Sequence, residues 1–545
     1  MKTKDLFKFC GAILFSTRLN TRRTNILFCA KSIFIIFIFS TLICGNTLLA
    51  QQPGTPISEG ITIGSQRILF LDNSLIDQLG GKAELRLHHP VPHEIVLKCD
   101  EPWEGSGSLY FSIFKDGNLY RMYYRGVQVE RFEKGHEKED DSDLHNKICY
   151  AESKDGIHWY KPSLGIYDYK GSKDNSILLT SGEIGGIKLE LGDNAAFFKD
   201  TNPNVLPDAR YKALICAARP RGLMAFKSSD AIHWVPMSKE LIITDGAFDS
   251  QNIAFWDNSR KEYRAYWRIF KNGVRDVRTA VSTDFIHWDN HQDLAYSDTL
   301  KEQLYTNQVE PYYRAPQLFI GFPTRYVDRG WSPSMRALPE PEYRERRSSV
   351  SAREGTAVTE SLVMASTDGV NFKRWNEAFL RPGIERPGTW NYGQQYMSWG
   401  MLETKSDLAG APNELSLYVS EEYKSQQPIG TRLRRYTLRL DGFVSVNAPI
   451  SGGSLVTRPI SFQGKQLSLN FSTSAAGSIQ VEIQDTNGNP LPGFTLQDCS
   501  PVFGDTIERT VTWNNSTDVS SLAGKQVRLM FVLKDADLYS FQFQE

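Results

Sequence analysis

One short phrase returns four times in this chain: Ser153-Lys154-Asp155-Gly156-Ile157-His158-Trp159, Ser228-Ser229-Asp230-Ala231-Ile232-His233-Trp234, Ser282-Thr283-Asp284-Phe285-Ile286-His287-Trp288 and Ser366-Thr367-Asp368-Gly369-Val370-Asn371-Phe372. A unit that recurs at tens of residues marks an array of similar modules. Each copy follows a β-rich run, supplies the Asp and often the Gly that a tight turn needs, and ends on an aromatic that opens the next strand. The repeated Asp155, His158, Asp230, His233, Asp284 and His287 are therefore read as turn chemistry rather than as a metal site.

A second hairpin precedes each copy. Ser108 to Phe114 turns at Lys115-Asp116-Gly117 into Tyr120 to Arg125, and Ala195 to Phe198 turns at Asp200 to Pro203 into Tyr211 to Ala217. Asn252 to Trp256 and Val309 to Tyr313 open two more such hairpins, so each unit has four strands. A fifth unit runs from Tyr396 to Leu438 without a good copy of the phrase. Four-stranded antiparallel units set around an axis make a β-propeller, so the fold class expected is all-β, a five-bladed propeller over residues 51–440. From Asp441 to Glu545 aromatics thin out and short alternating strands are parted by Gly, Asn and Asp turns, which predicts a small β-sandwich.

The amino terminus carries Lys and Arg up to Lys31, then an apolar stretch from Ile33 to Cys44, then Leu48-Leu49-Ala50-Gln51. That order predicts a signal peptide over residues 1–50 and a secreted or periplasmic protein, with an apolar part too short for a membrane span. Anchoring as a lipoprotein at Cys44 is the lesser alternative, because Thr41-Leu42-Ile43 lacks the small residue expected before the Cys. Cys99, Cys149, Cys216 and Cys499 are far apart and without metal-like spacing, so buried free thiols are expected. With 62 basic and 63 acidic residues and no basic stretch rich in aromatics, nucleic acid is not an expected partner.

Inner strands of a propeller lie side by side around the axis, so residues at equivalent positions become neighbours. Near the start of each inner strand stand Glu104, Asp193, Asp249, Glu310 and the pair Gln394-Gln395. Carboxylates gathered in one pocket repel, and the resulting split of their pKa values is what the acid and base of glycoside hydrolysis require. The two carboxyl groups stand about 6.5–9.5 Å apart in an inverting enzyme and about 5–5.5 Å in a retaining one.

The five units, the Ser-x-Asp-Gly-x-x-Trp phrase and the axial acids resemble the five-bladed propeller glycosidases, the broad group that holds glycoside hydrolase families 32, 43, 68, 117 and 130. The resemblance covers roughly Ile61 to Leu440 and implies an Asp, Asp, Glu set on successive blades, here Asp193, Asp249 and Glu310. It implies a secreted glycoside hydrolase of the inverting kind, in which Glu310 donates the proton, Asp193 activates water, or attacks directly if the enzyme retains, and Asp249 holds acid and sugar in register. Two departures stand out: the set begins on the second blade, and the Asn-Asp-Pro-Asn, Arg-Asp-Pro and Glu-Cys motifs of the invertase-like members are missing. Glu104 is accordingly kept as an alternative base, and Asp72 or Asp77 as further acids that could enter the channel.

Sugars present apolar faces to rings and hydroxyls to planar polar groups. Trp103, Tyr305, Trp390 and Tyr392 are thus the stacking candidates, and Gln251, Asn252, Asn307, Gln308, Gln394 and Tyr326 the polar ones. Arg325 and Arg329 could read a carboxylate or sulfate, which would make the poly- or oligosaccharide substrate acidic. No cofactor is expected, although a ring of acids would suit a structural cation in the channel. Two rival readings stay open: a non-catalytic carbohydrate-binding propeller, and a glycoside phosphorylase that sets Arg219, Arg221, Arg325 and Arg329 around a single acid.

Overall fold

A computed structural model describes residues 60–127, 146–184, 186–189, 195–424 and 430–545. The described chain is nearly all β, and five of its sheets are the blades of a propeller. The inner strands are Leu109–Asp116, Ala196–Lys199, Ile253–Asp257, Glu310–Tyr312 and Leu402–Thr404, each paired antiparallel to the second strand of its blade.

The repeated phrase builds the turn between the third and fourth strands and locks neighbouring blades together. In the first copy the Ser153 hydroxyl accepts the Gly156 N–H at 2.9 Å, and Asp155 Oδ1 accepts the N–H groups of Ile157 and His158, both at 2.8 Å. The same bonds recur around Asp230, Asp284 and Asp368. The fourth residue of every copy has a left-handed backbone, with φ of 78° at Gly156, 69° at Ala231, 71° at Phe285 and 79° at Gly369. Glycine is free to adopt that conformation, and Ala231 and Phe285 hold it while fully buried.

A tyrosine of the preceding blade caps three of these turns. Tyr123 donates its hydroxyl to the Ala231 carbonyl at 2.9 Å and Tyr266 to the Gly369 carbonyl at 2.8 Å, while Tyr418 of the fifth blade donates to Gly156 of the first and so closes the ring. The third copy has a ring in place of such a hydroxyl, with Phe285 packed 5.6 Å from Phe198 and 5.3 Å from Tyr263.

The amino-terminal strands correct the expected start of the propeller at residue 51. Val91–Lys98 pairs with Arg432–Arg439 as the outermost strand of the fifth blade. Ile61–Gly64, Ile68–Leu69, Ile76–Gly81 and Glu84–Leu87, counted with the propeller on sequence, join the C-terminal strands in a ten-stranded sheet. Its longest members, Gln466–Gln484 and Gln526–Gln544, pair along most of their length. Asp72 and Asp77 consequently lie outside the channel: Asp72 accepts from Ser74, and Asp77 pairs with Arg528 at 2.5 Å.

Asp441 ties this sheet to the propeller. Fully buried, it accepts from Tyr312 at 2.8 Å and Arg314 at 2.9 Å on the fourth blade, and from Arg67 at 3.2 Å and Ser540 at 2.8 Å on the sheet. Burial alone would raise its pKa, but the two guanidinium groups prevail and hold it below the ordinary carboxylate value. Cys99, Cys149, Cys216 and Cys499 are buried, and no disulfide joins them to one another.

Candidate active site at the upper end of the propeller

The axis of the ring is closed by a layer of amides rather than left open. Gln251 Nε2 donates to the Tyr110 carbonyl at 3.0 Å and to Ser112 Oγ at 3.1 Å. Gln308 Nε2 donates to Gln251 Oε1 at 2.7 Å and to the Met397 carbonyl at 3.0 Å, and the Phe197 N–H donates to Ser112 Oγ at 3.2 Å. All five inner segments meet in this buried layer, which separates an upper end, where the inner strands begin, from a lower end, where they finish. Gln251 and Gln308, read as sugar ligands on sequence, are structural members of it.

The layer also separates the acids. Asp249 lies two residues before Gln251 and Glu310 two residues after Gln308. One carboxylate thus comes before the layer along its chain segment and the other after it. Consistent with this, Glu310 borders a lower cavity together with Lys115, Lys199, Asn258 and Tyr313, residues at or just beyond the finishing ends of four inner strands. The structure does not bring Asp249 and Glu310 together, and Asp193, the third acid of the expected set, lies outside the described residues.

Glu310 lies by the backbone N–H groups of Met401 and Gly400, but its Oε1 is buried without a hydrogen-bond partner among the described residues and no cation offsets burial. Burial pushes its carboxyl pKa up to about 8. Glu104 is enclosed instead: fully buried, it accepts from the Tyr124 hydroxyl, from Lys161 Nζ at 2.7 Å and from the Glu101 N–H at 2.9 Å. Burial raises its pKa above the usual carboxylate value even against the Lys161 ammonium. Every partner of Glu104 is structural, so it takes the role of a core acid rather than of the alternative base.

At the upper end Asp249 is 53% exposed while it contacts the guanidinium of Arg268, which is 3% exposed. Arg221 Nη2 stands 3.9 Å from the same carboxylate. Arg268 lies 4.9 Å from the ring centre of Tyr305, and Arg275 lies 5.5 Å from Tyr305 and 4.6 Å from Tyr326. Tyr305, Tyr326, Tyr392 and Tyr396 form a wall with ring centres 5.5 to 6.5 Å apart, and the Tyr392 hydroxyl donates to that of Tyr305 at 3.0 Å. Tyr110 and Tyr423 belong to the same cluster. Burial pushes the phenols of Tyr110, Tyr392 and Tyr396 well up, so they remain protonated donors across the working pH range.

The other expected contacts are spread over the molecule. Arg325 is spent on Glu360 at 2.5 Å, Glu302 at 3.1 Å and the Asn376 carbonyl at 2.9 Å, which removes it as a reader of an acidic sugar. Asn252 donates to the Phe248 and Ser250 carbonyls and Asn307 accepts the Val309 N–H, bonds that shape their own loops, while Gln394 accepts the N–H of the distant Glu422. Trp103 donates to Ser176 Oγ at 3.3 Å and packs edge-on to Tyr169. Trp390 lines a different cavity together with Arg329. Tyr305, Tyr326 and Tyr392 alone of these candidates join the wall beside Asp249.

Sequence reasoning missed Arg268 and Arg275. They stand at the end of Glu262–Lys271 and the start of Val274–Ser282, the second and third strands of the third blade, where that hairpin meets the tyrosine wall. Among the described residues there is no cluster of three or more metal-ligating side chains, and no helix is long and apolar enough to cross a membrane.

No protein-family model matches this chain, and no curated protein resembles it in sequence. Solved structures do resemble it in overall architecture. One described as a glycoside hydrolase is 11% identical and matches 64% of this chain and 92% of its own, with a TM-score of 0.40. A GH130 protein from work on mannoside phosphorylases and on glycoside hydrolases that target β-1,2 mannosidic linkages in Candida mannan is 14% identical, over 64% and 94%, with a TM-score of 0.37. An N-acetylgalactosamine deacetylase from F. plautii is 13% identical, over 67% and 95%, with a TM-score of 0.37. At these scores the likeness says nothing of what this chain acts on.

Proposed function

We propose that this chain is a carbohydrate-active enzyme that breaks a glycosidic bond at the upper end of its propeller, with Asp249 as an acid/base carboxylate. The observation that carries the reading is the ion pair at that end: an exposed carboxylate held by the buried Arg268, beside a wall of protonated tyrosines. The rings offer faces for sugar C–H groups, their hydroxyls bond sugar oxygens, and Arg268 fixes the direction of the carboxylate.

Hydrolysis needs a second carboxylate. Asp193 is the residue we assign to it, because it precedes its inner strand by three residues much as Asp249 precedes its own by four. One carboxyl group would protonate the leaving oxygen while the other takes the proton of the water that attacks the anomeric carbon. Read with the expected export signal, the substrate is an extracellular poly- or oligosaccharide.

A second reading, phosphorolysis, is favoured by one observation: the described groups that contact Asp249 are arginines, Arg268 and Arg221, with Arg275 close behind. Phosphate would replace water at the anomeric carbon, its oxygens held by guanidinium forks, and a single protein carboxyl group would suffice to protonate the leaving oxygen.

The test is product analysis on neutral and sulfated polysaccharides with and without inorganic phosphate. Reducing-sugar release without phosphate identifies hydrolysis, and phosphate-dependent release of a sugar phosphate identifies phosphorolysis. Asp249→Asn should abolish either; turnover that survives it rejects this site. Binding without release in both conditions would leave the carbohydrate-binding propeller.

A further inference from the structure

Two short segments of the fourth and fifth blades have a second face. Tyr326 and Tyr392 turn toward the wall beside Asp249. Val327, the next residue along the strand Thr324–Asp328, and Trp390, two residues before Tyr392, line a separate cavity of about 440 Å³. Its far side comes from Met335 and Leu338 in the insertion that carries the helices Pro333–Ala337, Pro341–Val350 and Ala352–Thr356.

We propose that this cavity is a second, non-catalytic saccharide site that holds one pyranose ring of a poly- or oligosaccharide. The inference goes beyond the activity assigned to Asp249 and stands without it, since a propeller that only binds sugar would have the same cavity.

Shape and chemistry both point there. The volume falls in the range of small-molecule pockets, and the apolar wall of Val327, Met335 and Leu338 meets a half-buried indole. Trp390 is held in place by its Nε1 donation to the Gly383 carbonyl at 2.9 Å. Its backbone is left-handed, with φ at 60°, a conformation that a bulky residue adopts rarely and that concentrates at functional positions. A ring fixed in this way is a platform for the C–H face of a pyranose.

The polar groups stand where hydroxyls would be read. Arg329 is exposed at the cavity, and its guanidinium makes no ion pair or side-chain hydrogen bond among the described residues. Glu385, also exposed, lines the same cavity. A planar donor fork and an acceptor beside an aromatic face are the groups that bond vicinal hydroxyls.

The probes are xylan, galactomannan, mixed-linkage β-glucan and pectin cast into native gels, with the full protein carrying Asp249→Asn so that the polymer stays intact. The expected result is retardation by at least one polymer, and a dissociation constant raised about tenfold when Trp390→Ala or Arg329→Ala is added, in line with one lost aromatic or polar contact. Melting temperatures should stay close to the parent's, and the exposed Arg329 keeps the test valid should Trp390→Ala fold poorly. Retardation that survives both substitutions would assign binding elsewhere and overturn the proposal, as would the absence of retardation in every gel.

Discussion

The two ends of the propeller axis are built from the same five blades by opposite rules. The lower end is made of repeated parts: the Ser-x-Asp turns, the tyrosine caps and the strand ends. The upper end is made of parts that occur once: the Arg268 to Arg275 hairpin, the tyrosine wall and the helical insertion. Repetition marks what each blade needs in order to stand beside its neighbour, and the departures from it mark where chemistry is carried. The carboxylates differ as well: Asp441 at the lower end is fully buried and held by Arg67 and Arg314, Glu310 is half-buried beside a cavity with no cation against it, and Asp249 at the upper end is exposed and held by arginine.

Substitutions at each end should therefore fail in different ways. Asp441→Ala leaves Arg314 without a carboxylate and Arg67 with Glu508 alone, and should cost about 3–5 kcal/mol of stability in denaturant unfolding. KM should not move at temperatures where the protein stays folded; a shift in KM would mean that the lower end reaches the active site. Arg268→Met should lower kcat/KM about 100-fold with little change in melting temperature, because it removes the group that positions Asp249. A large stability loss with unchanged turnover would make Arg268 a structural residue and erase the contrast.

Glu310 supplies a finer test through pH. Its folded pKa, about 8, lies above the unfolded value, so its share of stability is complete below roughly pH 4.5 and is lost as pH rises through about 8. Glu310→Gln should remove that slope and be more stable than the parent by roughly 3–4 kcal/mol at pH 7 to 8, with the two equal near pH 4. The smallest effect belongs to the repeated turn. Asp284→Ala loses two backbone hydrogen bonds and should cost about 1 kcal/mol. The Asp284 pKa is held down to about 2 because hydrogen bonds from His287 and the backbone outweigh partial burial. The parent's advantage should thus be present above pH 4 and vanish as acid approaches pH 2.

Much of this fold was legible in the sequence because turn chemistry is local. Ser153 and Asp155 bond atoms within three residues of themselves, so the pattern that makes the turn is the pattern that is read. The strand that closes the fifth blade was not legible, because Leu97 pairs with Leu433 and nothing near Val91–Lys98 announces a partner so distant in sequence. The site was half legible. Matching acids by their nearness to each inner strand joined Asp249 with Glu310, whereas the true register is set by the hydrogen bond between Gln251 and Gln308, which places one acid before the amide layer and the other after it. Arg268 and Arg275 left no signal, because nothing local to their hairpin announces that it meets the tyrosine wall.

The most direct test of the account is to measure turnover of Asp249→Asn and Glu310→Gln side by side against the parent protein, on whichever polysaccharide the parent degrades. The account predicts that Asp249→Asn loses about 100-fold or more, as for removal of an acid/base group, while Glu310→Gln stays within about twofold. The reverse pattern, with Glu310→Gln inactive and Asp249→Asn active, would place the chemistry at the lower end and contradict it.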